Sequence, residues 1–246
     1  MLDPFDLWLI KSWPNDVENY VKIYWPWALS LYKDNEICRS NREDFDFYKD
    51  QDILIVGGGP TTDALDWSKS ALEHDYIWSC NHFFQNKKLQ NVRVDLAMIM
   101  PGVDLNNTIF NNIIRLDNTL IGIELHDKWM NNQDLNNFIK KYSSDKIFFS
   151  HSRFFGKLGI GARMIILAAS LGAAKVSFIG FDGPVIGHSF EPGKYKLPAG
   201  VTQYNADQIY DYQYNILWDY LKDKFPKTKV DSLDKTNPYH KKVWNL

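Results

Sequence analysis

The stretch Ile53–Pro60, Ile-Leu-Ile-Val-Gly-Gly-Gly-Pro, gives the first indication of the fold. An apolar run that ends in glycines is typical of a strand buried on both faces and followed by a tight turn. Further short apolar runs lie at 76–79, 94–100, 119–123, 146–149 and 176–179. Helical stretches are predicted between several of them, at 62–72, 104–114, 131–142, 158–171 and 205–224. This alternation predicts an α/β fold with a doubly wound, mostly parallel, Rossmann-like sheet.

The composition is that of a globular protein in a reducing compartment. The 246 residues are 45% hydrophobic and 24% charged, and the formal net charge is −2. A charge near zero argues against a nucleic-acid binder that depends on bulk positive charge, so nucleic acid is not expected as a partner. Cys38 and Cys80 provide neither a disulfide framework nor a zinc site, which predicts a cytoplasmic protein.

The chain is predicted to have two parts. Residues 1–50 are expected to form a helical N-terminal appendage, in which apolar residues near helical spacing are broken at Pro26. Its end, 39–52, is dense in charge and predicts a solvated connector. Residues 51–246 are expected to form the Rossmann-like domain, with a lid at about 183–204, where glycine and proline occur without periodicity. We expect neither a signal peptide nor a transmembrane segment, since no apolar run reaches roughly 18 residues.

The residues after each strand are candidates for function, because ligands of parallel α/β sheets bind beyond the carboxyl ends of the strands. The first group is Gly57, Gly58 and Gly59 with Pro60 and Thr61. Glycine lets a ligand approach the backbone, and a helix start presents free N–H groups, which favours a phosphate site. A simple tight turn is the alternative, since the loop has neither the third glycine of a dinucleotide fingerprint nor the Lys-Ser/Thr of a P-loop.

Four other residues complete the candidate site. Asn81 follows the second predicted strand and suits a base or a sugar hydroxyl, because its amide both donates and accepts; a polar turn residue is the alternative. Gly161 lies at a helix start, and Asp182 ends the sixth strand, where a carboxylate can bind a hydroxyl or a cation. His188 lies in the predicted lid and is a candidate general base.

Taken in order, these motifs resemble the bacterial sialyltransferases of glycosyltransferase family 42. That family has a Gly-x-Gly-Pro loop and a Cys-Asn-x-Phe segment, matched here at 57–60 and 80–83. It has a glycine-started helix that runs into Leu-Gly, then seven residues and Gly-Ile-Asp, matched at 161, 171–172 and 180–182. Its Ile-Gly-His-Ser element is identical at 186–189. The resemblance covers about 52–190, a little over half of the chain.

The resemblance implies a metal-independent, inverting glycosyltransferase. Its donor would be a CMP-activated sialic or related nonulosonic acid, and its acceptor a hydroxyl of a glycan or glycolipid. The glycine loop and Asn81 would hold the nucleotide, Gly161 would lie near the donor, and His188 would remove the proton from the acceptor. No cofactor is implied. The Asp-x-Asp form at 44–46 is interpreted as a solvated face and not as a metal site.

The sequence departs from the family in two places. Ile160 stands where the family has Ser or Thr. The stretch between Asp182 and His188 is too short to supply the family's lid tyrosines, which steady the leaving phosphate. We therefore expect Tyr195 and Tyr204, in the downstream loop, to take that role, because a phenol near the phosphate stabilises developing charge.

Other functions remain open from the sequence. The Gly-x-Gly-Pro-Thr start and the Gly-x-Asp element also resemble the hydroxymethylpterin pyrophosphokinases and the related motility accessory factors. Such an enzyme would need ATP and magnesium, with Asp182 or Asp95 as ligands. A sugar transferase acting on modified nucleic acid and a nucleotide-binding module without catalysis are further alternatives. A homo-oligomer and a peripheral contact at the inner face of the membrane are also left open.

Overall fold

A computed structural model describes residues 42–142, 145–150, 158–183, 187–188, 191–192, 201–202 and 204–243. Its strands are β1 (Asp52–Val56), β2 (Tyr76–Cys80), β3 (Leu96–Ile99), β4 (Leu120–Glu124), β5 (Ile147–Ser150), β6 (Lys175–Ile179), β7 (Gly187–His188), β8 (Glu191–Pro192) and β9 (Lys229–Ser232). Its α-helices are α1 (Trp67–Glu73), α2 (Thr108–Leu116), α3 (Gln133–Lys141), α4 (Ile160–Ser170) and α5 (Ala206–Lys224). Short 3₁₀ helices lie at Arg42–Tyr48, Pro60–Ala64, Phe83–Gln85, Leu89–Asn91, Asp127–Trp129 and Pro238–His240.

Seven strands form one parallel sheet in the order β5-β4-β3-β2-β1-β6-β9. The chain builds outward from β1 to β5 on one side, returns through α4, and continues with β6 and β9 on the other side of β1. The direction of winding therefore reverses between β1 and β6. Their carboxyl ends are joined by hydrogen bonds from the Gly57 amide to the Ile179 carbonyl (2.8 Å) and from the Gly59 amide to the Gly180 carbonyl (3.0 Å). Such a switch point is where open α/β sheets bind ligands.

The predicted α/β fold and its six strands are confirmed. The prediction succeeds because the apolar runs of the sequence form the buried strands of the sheet. β1, β3, β4 and β5 are buried almost throughout, as expected of parallel strands covered on both faces. Helix α4 is buried at ten of its eleven residues and packs across β1, β2, β3 and β6. None of the described helices is long and apolar enough to cross a membrane.

Two local predictions are wrong. The predicted helix at 62–72 is two elements, a 3₁₀ turn at Pro60–Ala64 and α1, because the Asp66 carboxylate caps a new helix start at the Lys69 amide (3.2 Å). The charged stretch 39–52 is not wholly a solvated connector: Phe45 and Tyr48 are fully buried, with ring centroids 4.9 Å from Phe148 and 4.8 Å from Trp78, respectively. The domain boundary at residue 51 stays a prediction.

Candidate functional site

A cleft of about 180 Å³ opens at the switch point, beyond the carboxyl ends of β1, β2 and β6. Five segments form it: the loop after β1, the end of β2, the start of α4, the loop after β6 and one face of α5. Its lining residues are Gly57, Gly58, Gly59, Cys80, Asn81, Leu158, Gly159, Ile160, Gly161, Gly180, Phe181, Asp182, Gly183, Tyr210 and Tyr214. Six of the residues proposed from the sequence therefore meet in one place.

Asp182 fastens the two glycine loops to each other. Its carboxylate accepts hydrogen bonds from the Thr61 amide (3.0 Å) and from the Thr61 hydroxyl. The same hydroxyl accepts from the Gly180 amide at 3.2 Å. Asp182 lines the cleft as expected, but both carboxylate oxygens already bind the protein, so its first role here is to hold the loop after β1 against the loop after β6. Thr61 acts through this contact.

The electrostatics of Asp182 follow from its position. Burial raises the pKa of this carboxyl, and the negative charge of Asp234 acts in the same direction. The two hydrogen bonds from Thr61 oppose the rise without cancelling it. A ligand cation or hydroxyl at this point would therefore meet a carboxylate that ionises less readily than a free one.

The glycines are required by protein packing at least as much as by a ligand. A Cβ at Gly57 would lie 2.4 Å from the Gly180 carbonyl oxygen, and one at Gly59 would lie 2.3 Å from the Asp182 carboxylate. A Cβ at Gly161 would lie 1.6 Å from the ring of Phe181. The group that lies close to Gly161 is therefore the ring of Phe181. Gly161 also lines the cleft.

The start of α4 supplies hydrogen-bond donors to the cleft. Gly159, Ile160 and Gly161 line it, and Gly159 precedes the helix with φ +77° and no side-chain cap. The first amides of a helix have no partner within the helix and carry partial positive charge. Together with the Gly57–Gly59 loop, this helix start makes a surface suited to the oxygen atoms of a phosphate.

Asn81 presents one side of its amide to the cleft. The residue is in the left-handed region (φ +48°), and its side-chain oxygen accepts from the Met100 amide at 3.0 Å. The Nδ2 group keeps its donor capacity for a ligand. Cys80 lies beside it as a half-buried part of the wall, and burial raises the pKa of its thiol to about 12, which keeps the thiol protonated.

Two tyrosines that the sequence analysis did not single out line the cleft. Tyr210 and Tyr214 lie one turn apart on α5 and are almost fully buried. Tyr204, which we expected near the phosphate, is 100% exposed and precedes α5. The spacing of Tyr210, Tyr214, Leu217 and Trp218 marks a buried helix face, but this signal does not distinguish core from cleft.

Two of the remaining predicted residues, His188 and Tyr195, lie at or beyond the limits of the described structure. The backbone of β7 pairs antiparallel with β8, so His188 lies opposite Glu191 in a short hairpin. The His188 side chain and all of Tyr195 lie outside the described residues. Pro60 begins the 3₁₀ turn that follows the glycine loop.

A buried ion pair ties the start of α4 to the neighbouring part of the sheet. The Arg163 guanidinium lies 3.2 Å from the carboxylate of Glu124, which ends β4 and is 1% exposed. The pair fixes the first turn of α4 over the carboxyl end of β4. It thereby orients the backbone amides that face the cleft.

The acidic residues of the alternative magnesium-dependent function are far apart in the topology. Asp95 precedes β3 and accepts from the Ile77 amide at 2.8 Å, whereas Asp182 follows β6. Asp95 therefore lies at the amino ends of the parallel strands and Asp182 at their carboxyl ends, and of these two alternative ligands only Asp182 lines the cleft. Among the described residues, no group of three or more His, Cys, Asp or Glu side chains is placed to hold a metal ion.

The sheet and its switch-point cleft define a parallel α/β protein with a Rossmann-like fold, and solved structures share this fold. The chain is similar to the monofunctional α-2,3-sialyltransferase Cst-I from Campylobacter jejuni, with a TM-score of 0.55 and 17% identity over 77% of this chain and 78% of that one. It is similar to the sialyltransferase CST-II in complex with a trisaccharide acceptor and CMP, with a TM-score of 0.51 and 16% identity over 77% and 84%. No family profile and no curated protein matches the sequence.

At these identities the likeness shows a shared fold. A further structure of CstII from Campylobacter jejuni, in complex with the substrate analogue CMP-3FNeuAc, gives a TM-score of 0.51 at 14% identity. These neighbours share the fold expected from the glycosyltransferase family 42 resemblance. They lend no support to the pyrophosphokinase resemblance.

Proposed function

We propose that this chain is a glycosyltransferase that moves a CMP-activated sialic or related nonulosonic acid to a hydroxyl of a glycan or glycolipid. The observation that carries the proposal is the switch-point cleft, in which glycine-loop and α4 amides converge with the Asn81 amide and two tyrosines. Amides and phenols suit a nucleotide phosphate without requiring a cation. The fold is that of sialyltransferases whose structures contain CMP or a CMP-sugar analogue, which supports the choice of donor.

The proposed reaction needs one base and one stabilised leaving group. The acceptor oxygen attacks the anomeric carbon, and the bond from that carbon to the phosphate oxygen of CMP breaks. His188 takes the acceptor proton, and CMP leaves with the bonding electrons. The amides around the cleft, with Tyr210 beside them, stabilise the charge that grows on the phosphate.

The first experiment measures which nucleotide stabilises the protein. CMP, UDP, GDP and ATP are each added with EDTA or with magnesium, and the midpoint of thermal unfolding is recorded. We expect CMP to raise the midpoint equally in both conditions, since a ligand at about 100 times its Kd adds roughly 2.7 kcal/mol. Stabilisation by ATP with magnesium alone would overturn the proposal and favour a pyrophosphokinase. Stabilisation by UDP or GDP would still support a glycosyltransferase but would overturn the proposed CMP-activated donor.

Asn81 offers a test of the nucleotide contact with a matched control. Asn81→Asp keeps the acceptor for the Met100 amide and tolerates the left-handed backbone, but it removes the Nδ2 donor. We expect CMP affinity to fall by about tenfold or more, as for loss of a buried hydrogen bond. Asn118→Asp changes a second left-handed asparagine (φ +57°), before β4 at the opposite edge of the sheet, and should leave the affinity unchanged.

His188 is tested by transfer and not by binding. His188→Ala should keep CMP affinity and lose transfer by about 10² to 10⁴-fold, the usual contribution of a general base. His74→Ala, at the amino edge of β2, is the control for removing an imidazole elsewhere. Full transfer by His188→Ala would remove His188 from the mechanism.

A further inference from the structure

The backbone of Phe181 is held from behind by the last part of the chain. Its carbonyl oxygen accepts hydrogen bonds from the Tyr214 hydroxyl (3.2 Å) and from the Asn237 side-chain Nδ2 (3.4 Å). Both side chains are buried, at 2% and 5% exposure. The Phe181 carbonyl is therefore directed into the packing between α5 and the 3₁₀ turn Pro238–His240.

Asn237 is itself fixed in this orientation. Its side-chain oxygen accepts from the Tyr239 amide at 3.0 Å, so its Nδ2 is directed to Phe181. The ring of Tyr239 in turn covers Gly183, where a Cβ would lie 2.6 Å from the ring. The Trp218 indole donates to the Tyr239 carbonyl at 2.9 Å, which joins this turn to α5. Asn237 does not line the cleft, yet it touches the loop that does.

The orientation of this carbonyl determines what the cleft presents. In a trans peptide, the N–H of the next residue points opposite to the C=O. The Asp182 amide makes no hydrogen bond within the described part of the chain, and Asp182 lines the cleft. A carbonyl turned toward Tyr214 and Asn237 therefore turns the Asp182 N–H toward the ligand.

We infer that Asn237 is a positioning residue, which holds the Phe181–Asp182 peptide so that the Asp182 amide donates to an oxygen of the bound nucleotide. The inference rests on the proposed function, because it needs a nucleotide in the cleft. The oxygen belongs to the phosphate or to the ribose, and both are acceptors of the same kind. Without the Asn237 donor the carbonyl still has the Tyr214 hydroxyl at 3.2 Å but loses its contact with the 3₁₀ turn, so the peptide is held less firmly and its amide is aimed less well at the ligand.

Asn237→Asp tests this with an internal switch. The new side chain keeps the acceptor for the Tyr239 amide, but as a carboxylate it cannot donate to Phe181. When protonated it donates again, and burial raises the pKa of a carboxyl. We therefore expect CMP to bind about tenfold more weakly than to the wild type at pH 8 and nearly as well at pH 5. A side chain that mattered only for stability would not restore the affinity in this way.

The experiment is isothermal titration with CMP and with cytidine at both pH values, reported as the ratio of variant to wild-type Kd. The other titratable groups near the site are Asp182, Asp207, Asp234, Tyr210, Tyr214, Tyr239 and His240. The wild-type titration at both pH values measures their own effect, and the ratio reports only what the substitution adds to it. The control is Asn132→Asp, which replaces an asparagine that caps α3 as an acceptor only. Its ratio should stay near one at both pH values.

The outcomes distinguish a failure of this inference from a failure of the proposed function. If the ratio of Kd values depends on pH for CMP but not for cytidine, the Asp182 amide binds the phosphate. If the ratio depends on pH for both ligands, the Asp182 amide binds the ribose. A ratio of one at both pH values overturns the inference and leaves the proposed function intact. Wild-type protein that does not bind CMP overturns both. If Asn237→Asp does not fold at pH 8, Tyr214→Phe removes the other donor to Phe181 while keeping the ring, and unchanged CMP affinity there overturns the inference.

Discussion

His240 makes the packing behind the cleft sensitive to pH. Its ring is 1% exposed, its Nδ1 lies 2.8 Å from the Ser232 hydroxyl, and it meets the rings of Phe178 and Tyr214 edge-on. Burial lowers the pKa of this imidazole from 6.5 to about 4, and the charge of Asp234 opposes the shift without outweighing it. His240 is therefore neutral in the folded protein over most of the acid range in which it is charged in the unfolded chain.

The sign of the effect follows from proton uptake. Between pH 6.5 and about 4 the unfolded chain binds a proton at His240 that the folded protein does not bind, so acid favours unfolding. This contribution to stability is complete above pH 6.5 and is lost as the pH falls toward 4. A shift of that size corresponds to about 3 kcal/mol in total, of which at least 2 kcal/mol is lost by pH 4.5.

His240→Phe should remove the loss of stability that acid causes at this position. Phenylalanine keeps the aromatic contacts, and the Ser232 hydroxyl keeps its second acceptor, the Asp234 carbonyl at 3.1 Å. We expect the variant to lie within about 1 kcal/mol of the wild type at pH 7 and to be about 2 kcal/mol more stable at pH 4.5. Urea unfolding at both pH values measures the difference. Ser232→Ala, which keeps the imidazole, should lose stability without losing the acid sensitivity. A constant difference between His240→Phe and wild type across this range would refute the argument.

Further substitutions test the contacts between the loops. Gly57→Ala should lower the unfolding free energy by about 1–3 kcal/mol, because its Cβ would lie 2.4 Å from the Gly180 carbonyl. Urea unfolding measures the loss, and an unchanged free energy would rule out the clash. Thr61→Val removes the hydroxyl between Asp182 and the Gly180 amide, so we expect a loss of about 1–3 kcal/mol together with weaker CMP binding, both measured by thermal unfolding with and without CMP. Cys80 should be alkylated by iodoacetamide more slowly in native protein than in urea, as followed by peptide mass spectrometry, because its thiol stays protonated in the fold; equal rates would contradict the raised pKa.

The fold could be predicted because buried parallel strands are recognisable from their own residues. Ile53–Val56 and Val176–Ile179 are apolar at nearly every position, and only strands covered on both faces require this. The strand β9 was not predicted, since Lys-Val-Asp-Ser has two charged residues in four. It lies beside β6 at the end of the sheet order and is only partly buried, so its pairing comes from the fold and not from its composition.

The site could be predicted where it coincides with strand ends or, at Gly161, with a glycine at a helix start. Gly57, Asn81 and Asp182 each follow a recognisable strand, and the sheet topology then brings them together. Tyr210 and Asn237 could not be found in this way. The first belongs to a helix whose tyrosines are spaced like any buried face, and the second acts from behind the loop.

The two glycine motifs of the sequence are better understood as one structural unit. The absence of a Cβ at Gly59 leaves the space that the Asp182 carboxylate occupies, and Thr61, two residues later, supplies both donors to that carboxylate. A Gly-x-Gly-Pro-Thr loop therefore requires an acceptor from the Gly-x-Asp loop, whatever ligand is bound. This explains why the two motifs alone also suggested a pyrophosphokinase: they describe how the switch point is closed and do not describe a reaction. The ligand is then selected by cleft groups that take no part in the contact between Thr61 and Asp182. These groups are the Asn81 amide, the start of α4 and the backbone N–H of Asp182.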